Sequence, residues 1–345
     1  PPQERSDGNK RTILAINVGQ WLTSWAMVTL DGAGSFSVDT IVSARTRDLG
    51  LKPHLESAFL SLLQDIRQTL AHRHQAMDAI GVSIAATVMS GVIVPVAEFG
   101  FFAHHTPQDA AGVTERILGL CGAAFPGKPV TIRNDAHTQA LFIYHYAQGR
   151  RAVTQAAPGM HLLSLRLGAC PCVQCLDAHG EASPGFNEYG WVITTLDVRP
   201  AAKKHAITIH RYLAYYGIAV IAHELGLLEK YNVHPEQAAL FFHGMLSASN
   251  ALARHEAKNV YRRLGAHVAM LACEIHRHRP LGAVMLLGAE AVGIDRLAFS
   301  SLYEGFYDFM HRHALQGCGL KFLFAQDASA KASLVGVAHA ASQRR

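Results

Sequence analysis

The sequence predicts an α/β protein built as two successive lobes around a central cleft. Three observations carry this reading. The chain has 345 residues, half of them apolar and only 17% charged, which suits two packed lobes better than one simple core. After a polar arm it opens on ILAINVGQWLTSWAMVTLDG, residues 13–32, an apolar strand, a turn and a second apolar strand. Its second half then repeats the order of the first, strands before helices.

The elements follow in order. Strand-like runs at 12–16, 24–30 and 36–44 precede a helix over 52–71, where Leu55, Phe59, Leu62, Leu63 and Ile66 form a stripe of helical period. AIGVSIAATV, residues 79–88, is a continuous apolar run of the kind a buried strand shows, and 91–96 reads as its hairpin partner. A helix over 110–121 ends near Gly122, and a short strand covers 129–132. Asn134 and Asp135 lead into a helix that stops at Gly149, and either side chain suits the orphan amides of a first turn. In the second half, strands at 161–167 and 172–176 join near Gly168. Helices follow at 207–227, 235–249 and 251–278, then a strand at 283–287, a helix at 294–313, a strand at 320–324 and a last helix at 330–341. In two such lobes the strand turns and helix starts face a ligand. The cleft residues are then 17–21, Asn134–Asp135, 168–170 and 288–290.

Several function classes are disfavoured. No apolar run reaches the roughly 18 residues of a membrane helix. The start PPQERSDGNKR lacks the apolar core of a secretory signal, and it begins with Pro, as a fragment or processed product would. Six irregularly spaced cysteines fit reduced thiols in a cytoplasm. The net charge of +5 is mild and scattered, with no basic reading helix and no Cys/His finger spacing, so this chain alone is not expected to contact nucleic acid. The 21 histidines read as solvated helix ends and loops, with pH sensing or metal binding as the alternative.

AINVGQW, GVSIAATVMSGVI, IRNDAHTQAL, LRLGA, GFNEYG, HRPLGAVMLLGAE and ASLVGVAHAA, in this order from about Ile13 to Ala341, resemble the ROK family of repressors, open reading frames and kinases. That family belongs to the actin-like and sugar-kinase ATPase superfamily. The resemblance implies two ribonuclease-H-like lobes, in the manner of actin and hexokinase. It divides the chain into a polar arm, 1–11, a first lobe, 12–133, onto which the C-terminal helix 330–345 packs back, and a second lobe, 134–329. Asn134 and Asp135 match the pair that holds sugar in family kinases, where the Asp is the base that deprotonates the sugar hydroxyl. An ionised carboxylate, acceptor only, suits that task. Glu188 in FNEYG matches a family contact to sugar hydroxyls. The plainer readings are a helix cap for Asp135 and a loop carboxylate for Glu188.

The resemblance fails on the nucleotide side. Family kinases begin Asp–x–Gly–Gly–Thr, whereas Asn17, Gly19, Gln20 and Trp21 stand here. An amide does not supply the charge a hard cation wants. Gly168–Ala169–Cys170 replaces Gly–Thr–Gly, and Gly288–Ala289–Glu290 replaces a glycine-rich run and adds a carboxylate. Gly19, Gly168 and Gly288 thus mark a degenerate nucleotide site. The family zinc site is also damaged, with Trp191 at its His place and no cysteine after it. A displaced zinc site at Cys170, Cys172 and Cys175, with His179 nearby, is the alternative to ordinary buried thiols. If Cys172 to Cys175 form a strand, however, those two side chains face opposite sides.

The favoured expectation is the sugar-sensing, dimerising body of a cytoplasmic ROK-type transcriptional repressor of carbohydrate metabolism. A sugar or sugar phosphate would bridge Asn134, Asp135 and Glu188, with no phosphoryl transfer and no cofactor. The body would be a homodimer or homotetramer and reach operator DNA only through a helix-turn-helix module that this chain lacks. The alternative is an ATP-dependent sugar kinase, glucokinase-like or acting on an N-acetylhexosamine, with magnesium-ATP and Asp135 as catalytic base. A third possibility is a partner-binding pseudokinase that takes neither ligand.

Overall fold

A computed structural model describes residues 10–31, 35–51, 55–89, 91–94, 112–147, 149–155, 158–167, 171–182, 193–196, 206–214, 216–288, 293–313, 319–325 and 331–343. The first stretch of elements is β1 (Arg11–Val18), β2 (Leu22–Leu30), β3 (Phe36–Val38), β4 (Val42–Arg45), α1 (Leu55–His72), β5 (Ala79–Ile84), β6 (Thr87–Met89), β7 (Val92–Val94), α2 (Val113–Ala124), β8 (Val130–Asn134) and α3 (Asp135–Tyr146). Next come α4 (Gly149–Thr154), β9 (His161–Arg166), β10 (Cys172–Leu176), β11 (Ile193–Leu196), β12 (Ala206–Thr208), α5 (His210–Leu213), α6 (Gly217–Glu224) and α7 (Leu227–Tyr231). A 3-10 turn, Pro235–Gln237, leads into α8 (Ala238–Met245), followed by α9 (Ala251–His278), β13 (Leu281–Leu287), α10 (Arg296–Arg312), β14 (Lys321–Ala325) and α11 (Ala332–Ser342). The chain divides into two compact units, Pro1–Tyr146 with Ala330–Arg345, and Ala147–Ser329. The first unit thus runs past the expected boundary at 133 and takes in α3, because α3 packs along α11.

The first unit is a sheet of order β3-β2-β1-β5-β8, with β4 also on β2. β1, β2 and β3 are antiparallel neighbours, whereas β1, β5 and β8 run parallel. Alternation along these strands sorts the two faces. Leu14, Ile16, Val18, Ile80, Val82, Ile84 and Ile132 form one core with Phe59, Leu63 and Ile66 of α1 and Ile117 and Cys121 of α2. Each such fully buried Leu, Ile or Phe contributes about 1.5–3 kcal/mol. The other face is covered by α3 and α11 at close quarters. A Cβ on Gly81 would lie 2.8 Å from the Val337 carbonyl oxygen, and one on Gly336 only 1.7 Å from that of Thr138.

The second unit repeats this plan in the order β10-β9-β13-β14, an antiparallel hairpin beside parallel strands. Its α9 and α10 cross through two glycines. A Cβ on Gly265 would meet the Leu302 carbonyl at 2.0 Å, and one on Gly305 that of Arg262 at 1.8 Å. Among the described residues no helix is long and apolar enough to cross a membrane.

Four expected elements are corrected. The strand at 36–44 is two strands, since Asp39 donates its N–H to the Met27 carbonyl and ties its side chain to Gln75, interrupting the run. The strand at 79–88 ends at Ile84, where Ala86 N–H turns back onto the Ile84 carbonyl and β6 leaves to pair with β7. The helix at 207–227 breaks into α5, α6 and α7, and its first residues pair as β12 with β11. At Gly217 a Cβ would lie 1.8 Å from the Tyr212 carbonyl, a reversal too tight for one continuous helix. The helix at 235–249 is a 3-10 turn followed by α8.

The α3–α11 contact carries a pH signature. His145 stacks on His339 at 3.8 Å, and Tyr146 Oη lies 3.0 Å from His339 Nδ1. Burial, then the neighbouring His145, pushes the His339 pKa down from 6.5 to about 4. Burial, then Arg133, does the same for His137. Both folded values are depressed, so the unfolded chain binds protons first as pH falls from about 6.5. Their stabilisation is present above that value and is lost as pH drops through about 4. A thermal melt at pH 4.5 should therefore give a lower midpoint than at pH 7.5. His339→Phe, which keeps a stacking ring, should reduce the difference; an unchanged pH dependence would contradict the assignment.

Candidate functional site

Parallel strands gather ligand-binding groups at their carboxyl ends, where the chain turns from strand to helix or loop. In the first unit the register fixes which residues stand there. Asn17 pairs with Ser83, and Ser83 with Arg133, so the three form one row near the ends of β1, β5 and β8. Asn134 closes β8, and Asp135 begins α3. The candidate residues Asn17, Asn134 and Asp135 are thus at one end of one sheet.

Asn134 is half-buried and anchored at both ends of its amide. Its Nδ2 donates to the Ala86 carbonyl at 2.8 Å, and its Oδ1 accepts the His137 N–H at 3.1 Å, an N-cap bond. One further N–H and one lone pair remain on that amide. Asp135 Oδ1 accepts the Ala136 N–H at 2.9 Å, and its negative charge sits at the favourable pole of α3. Thr138, fully buried, donates to the Asp135 carbonyl at 2.9 Å and shares a hydrogen bond with Ser83 Oγ at 3.0 Å. This hydroxyl pair locks the start of α3 to β5. Of the two side chains that suited the cap, Asn134 makes it, and its two bonds fix the orientation of its amide. Ser83 and Thr138 escaped sequence reasoning because each reads as an ordinary residue of a strand or helix.

The β1–β2 turn is closed on itself. Gly19 donates its N–H to the Leu22 carbonyl at 3.1 Å, and its own carbonyl accepts Thr46 Oγ1 at 2.7 Å. Thr46 also donates its N–H to the Trp21 carbonyl, and its hydroxyl meets that of Thr23 at 3.1 Å. A Cβ on Gly19 would lie 2.5 Å from the Leu22 carbonyl oxygen, so turn closure alone explains that glycine. Trp21 is 48% exposed on this turn. Asn17 Oδ1 is buried without a hydrogen-bond partner, and as a neutral amide oxygen it brings no charge to a cation.

In the second unit, Gly288 is likewise explained by packing. A Cβ there would lie 3.2 Å from Phe324 Cζ and 3.3 Å from the Ile294 carbonyl oxygen. The helix start that follows carries its own anion, which sequence reasoning missed although Asp before a helical run is a cap signal. Asp295 Oδ1 accepts the Ala298 N–H at 2.9 Å, and Oδ2 lies 3.0 Å from His243 Nε2. Burial opposes ionisation of Asp295, but the Ala298 amide and His243 outweigh it and hold the pKa below the ordinary value. The positive pole of α10 is therefore taken by an internal carboxylate.

Gly168, Ala169, Cys170, Glu188, Trp191, Ala289 and Glu290 lie outside the described residues. Two of the three cysteines of the CPCVQC run are described. Cys172 and Cys175 are both in β10, three residues apart, so their side chains leave opposite faces, and Cys175 is in the core of the second unit. Those two thiols do not converge on one zinc ion, and no metal-binding cluster occurs among the described residues.

No protein-family model matches the chain. No curated protein matches it either. Solved structures do. A putative sugar kinase from Cytophaga hutchinsonii is 17% identical, with 95% of this chain and 99% of that one covered and a TM-score of 0.69. A ROK family transcriptional regulator, a homolog of the E. coli MLC protein, is 14% identical over 96% of this chain and 78% of that one, with a TM-score of 0.68. A ROK family glucokinase from Streptomyces griseus, solved with glucose and AMPPNP, is 15% identical over 96% of this chain and the whole of that one, with a TM-score of 0.64. The chain has the ROK fold. Its two repeated α/β units have the fold of these structures, and sugar kinases and a regulator share it, so fold alone does not choose between them.

Proposed function

We propose that this chain is a ROK protein of the regulator branch: the sugar-sensing, dimerising body of a cytoplasmic transcriptional repressor of carbohydrate metabolism. It works without phosphoryl transfer. The observation that carries this reading is the β1–β2 turn. The N–H and carbonyl of Gly19 are both taken internally, Asn17 offers an amide where a kinase offers a carboxylate, and Trp21 stands where a small residue admits phosphate. Phosphoryl transfer depends on positioning and charge neutralisation, and neither is provided for here. The carboxylate of Asp295 at the α10 start works in the same direction.

The hydroxyl-binding half is retained. Asn134 and Asp135 are held at the carboxyl end of the sheet by the Ala86, Ser83 and Thr138 contacts, and we assign them, with Glu188, to a sugar or sugar phosphate effector. Effector binding favours one of two conformations by its differential affinity for them. In a homodimer or homotetramer that shift changes the spacing of the DNA-binding modules. Operator contact then comes from a helix-turn-helix module carried outside these residues.

The alternative, an ATP-dependent hexose or N-acetylhexosamine kinase with Asp135 as base, draws on the sugar kinases among the structures of this fold. A coupled assay for ADP release over a panel of hexoses and N-acetylhexosamines with magnesium-ATP separates the two. No sugar-dependent ADP release is expected. Turnover that disappears in Asp135→Ala would establish the kinase instead.

A further inference from the structure

At the other end of the first sheet, away from Asn17 and Asn134, a cavity of about 440 Å³ is lined by Thr12, Met27, Thr29, Ser37, Val38, Asp39, Gln75 and Ala76. Thr12 is five residues from Asn17 along β1, roughly 16 Å at the rise of an extended strand. The volume falls within the range of about 300–1,000 Å³ typical of small-molecule sites.

Register builds its floor. Thr12 pairs with Thr29, and Thr29 with Ser37, so β1, β2 and β3 present three hydroxyls in one row on one face. The two threonine hydroxyls lie 3.3 Å apart and share a single proton between them, which leaves the other proton to point outward. The wall is a buttressed amide and carboxylate. Gln75 Nε2 donates to Asp39 Oδ2 at 2.8 Å, Arg73 Nη1 approaches the same oxygen at 3.5 Å, and the Thr40 N–H donates to Oδ1 at 2.8 Å. That orientation leaves Gln75 Oε1 buried and without a hydrogen-bond partner.

The chemistry selects the ligand class. The Gln75 amide first, then the Thr40 amide, hold Asp39 below the ordinary carboxylate pKa, with burial opposing and Arg73 assisting. Asp39 is therefore an anion that disfavours phosphates and carboxylates, and Arg73, at the rim, already faces it. What remains is a row of hydroxyls that both donate and accept, beside the apolar groups of Met27, Val38 and Ala76. A ring or chain carrying adjacent hydroxyls over C–H surface complements all of them. We propose that this cavity is a second binding site, for a neutral polyhydroxylated ligand of the sugar or polyol class. It shares no residue with the Asn134–Asp135 site and does not depend on the function assigned there.

The test uses calorimetric titration with myo-inositol, sorbitol and D-glucose as probes, in the Asp135→Ala background so that the first site is weakened. Saturable binding of at least one probe is expected to persist there. Thr29→Val, which removes one hydroxyl of the shared pair, should weaken it about tenfold or more. Ser37→Ala, at an exposed position that tolerates truncation, should weaken it several-fold and covers the case in which Thr29→Val fails to fold. No saturation by any of the three probes, or binding that both variants leave unchanged, overturns the proposal. Binding lost in Asp135→Ala but insensitive to Thr29→Val assigns the sugar to the first site alone.

Discussion

Gly336→Ala should lower the thermal midpoint of the first unit by roughly 6–12 °C, from a loss of about 3 kcal/mol or more. Gly336 is in the interior of α11, where alanine is intrinsically better by about 1 kcal/mol. Propensity alone therefore predicts stabilisation. The packing predicts the opposite, because the new Cβ would lie 1.7 Å from the Thr138 carbonyl oxygen and 2.5 Å from its carbon. A backbone atom on a neighbouring helix does not swing aside, so α11 and α3 would have to separate. The internal control is Gly119 in α2, whose Cβ would meet nothing within 4 Å; Gly119→Ala should stabilise by about 0.5–1 kcal/mol. The damage at Gly336 should also reach the site, since Thr138 anchors the start of α3 through Ser83 and the Asp135 carbonyl. Equal shifts for the two variants, measured by differential scanning calorimetry, would refute the close α3–α11 contact.

The second large effect concerns ligand affinity. Asp135→Ala should weaken binding of the effector sugar roughly 10–100-fold, the equivalent of one charge-assisted hydrogen bond. It should leave folding nearly intact, because α3 is capped by Asn134 and not by Asp135. Asn134→Ala should behave differently. It removes both the cap and the bond to Ala86, so it should cost about 1 kcal/mol of stability as well as affinity. Asp135→Asn keeps shape and loses charge, and an intermediate affinity is expected. If isothermal titration shows Asp135→Ala binding sugar as wild type does, the assignment of that carboxylate is wrong.

Most of the architecture was legible because the apolar periods are strong. Residues 79–84 and 283–287 could be little else than buried strands, and the stripe on α1 fell where the core placed it. The misreadings share one cause, that local pattern does not register where a backbone must turn to satisfy its own hydrogen bonds. Asp39 splits an apparent strand through its tie to Gln75, and Gly217 reverses an apparent helix against the Tyr212 carbonyl. At the site, Asn134 and Asp135 were readable as a capping pair of the right chemistry. The supports that hold them, Ser83 and Thr138, were not, since pairing between residues 55 apart in the chain leaves no local trace. The hydroxyl row of Thr12, Thr29 and Ser37 was invisible for the same reason. It exists only once three strands are in register.

The decisive measurement is a pair of thermal melts of one preparation, the first with saturating hexose and the second with saturating magnesium-ATP. A bound ligand at a hundred times its dissociation constant stabilises by about 2.7 kcal/mol. The expected result is a clear upward shift with at least one sugar, reduced in Asp135→Ala, and no shift with magnesium-ATP whether or not sugar is present. A strong magnesium-ATP shift would show that Asn17, the closed turn at Gly19 and the exposed Trp21 still admit a nucleotide, and would return the chain to the kinases.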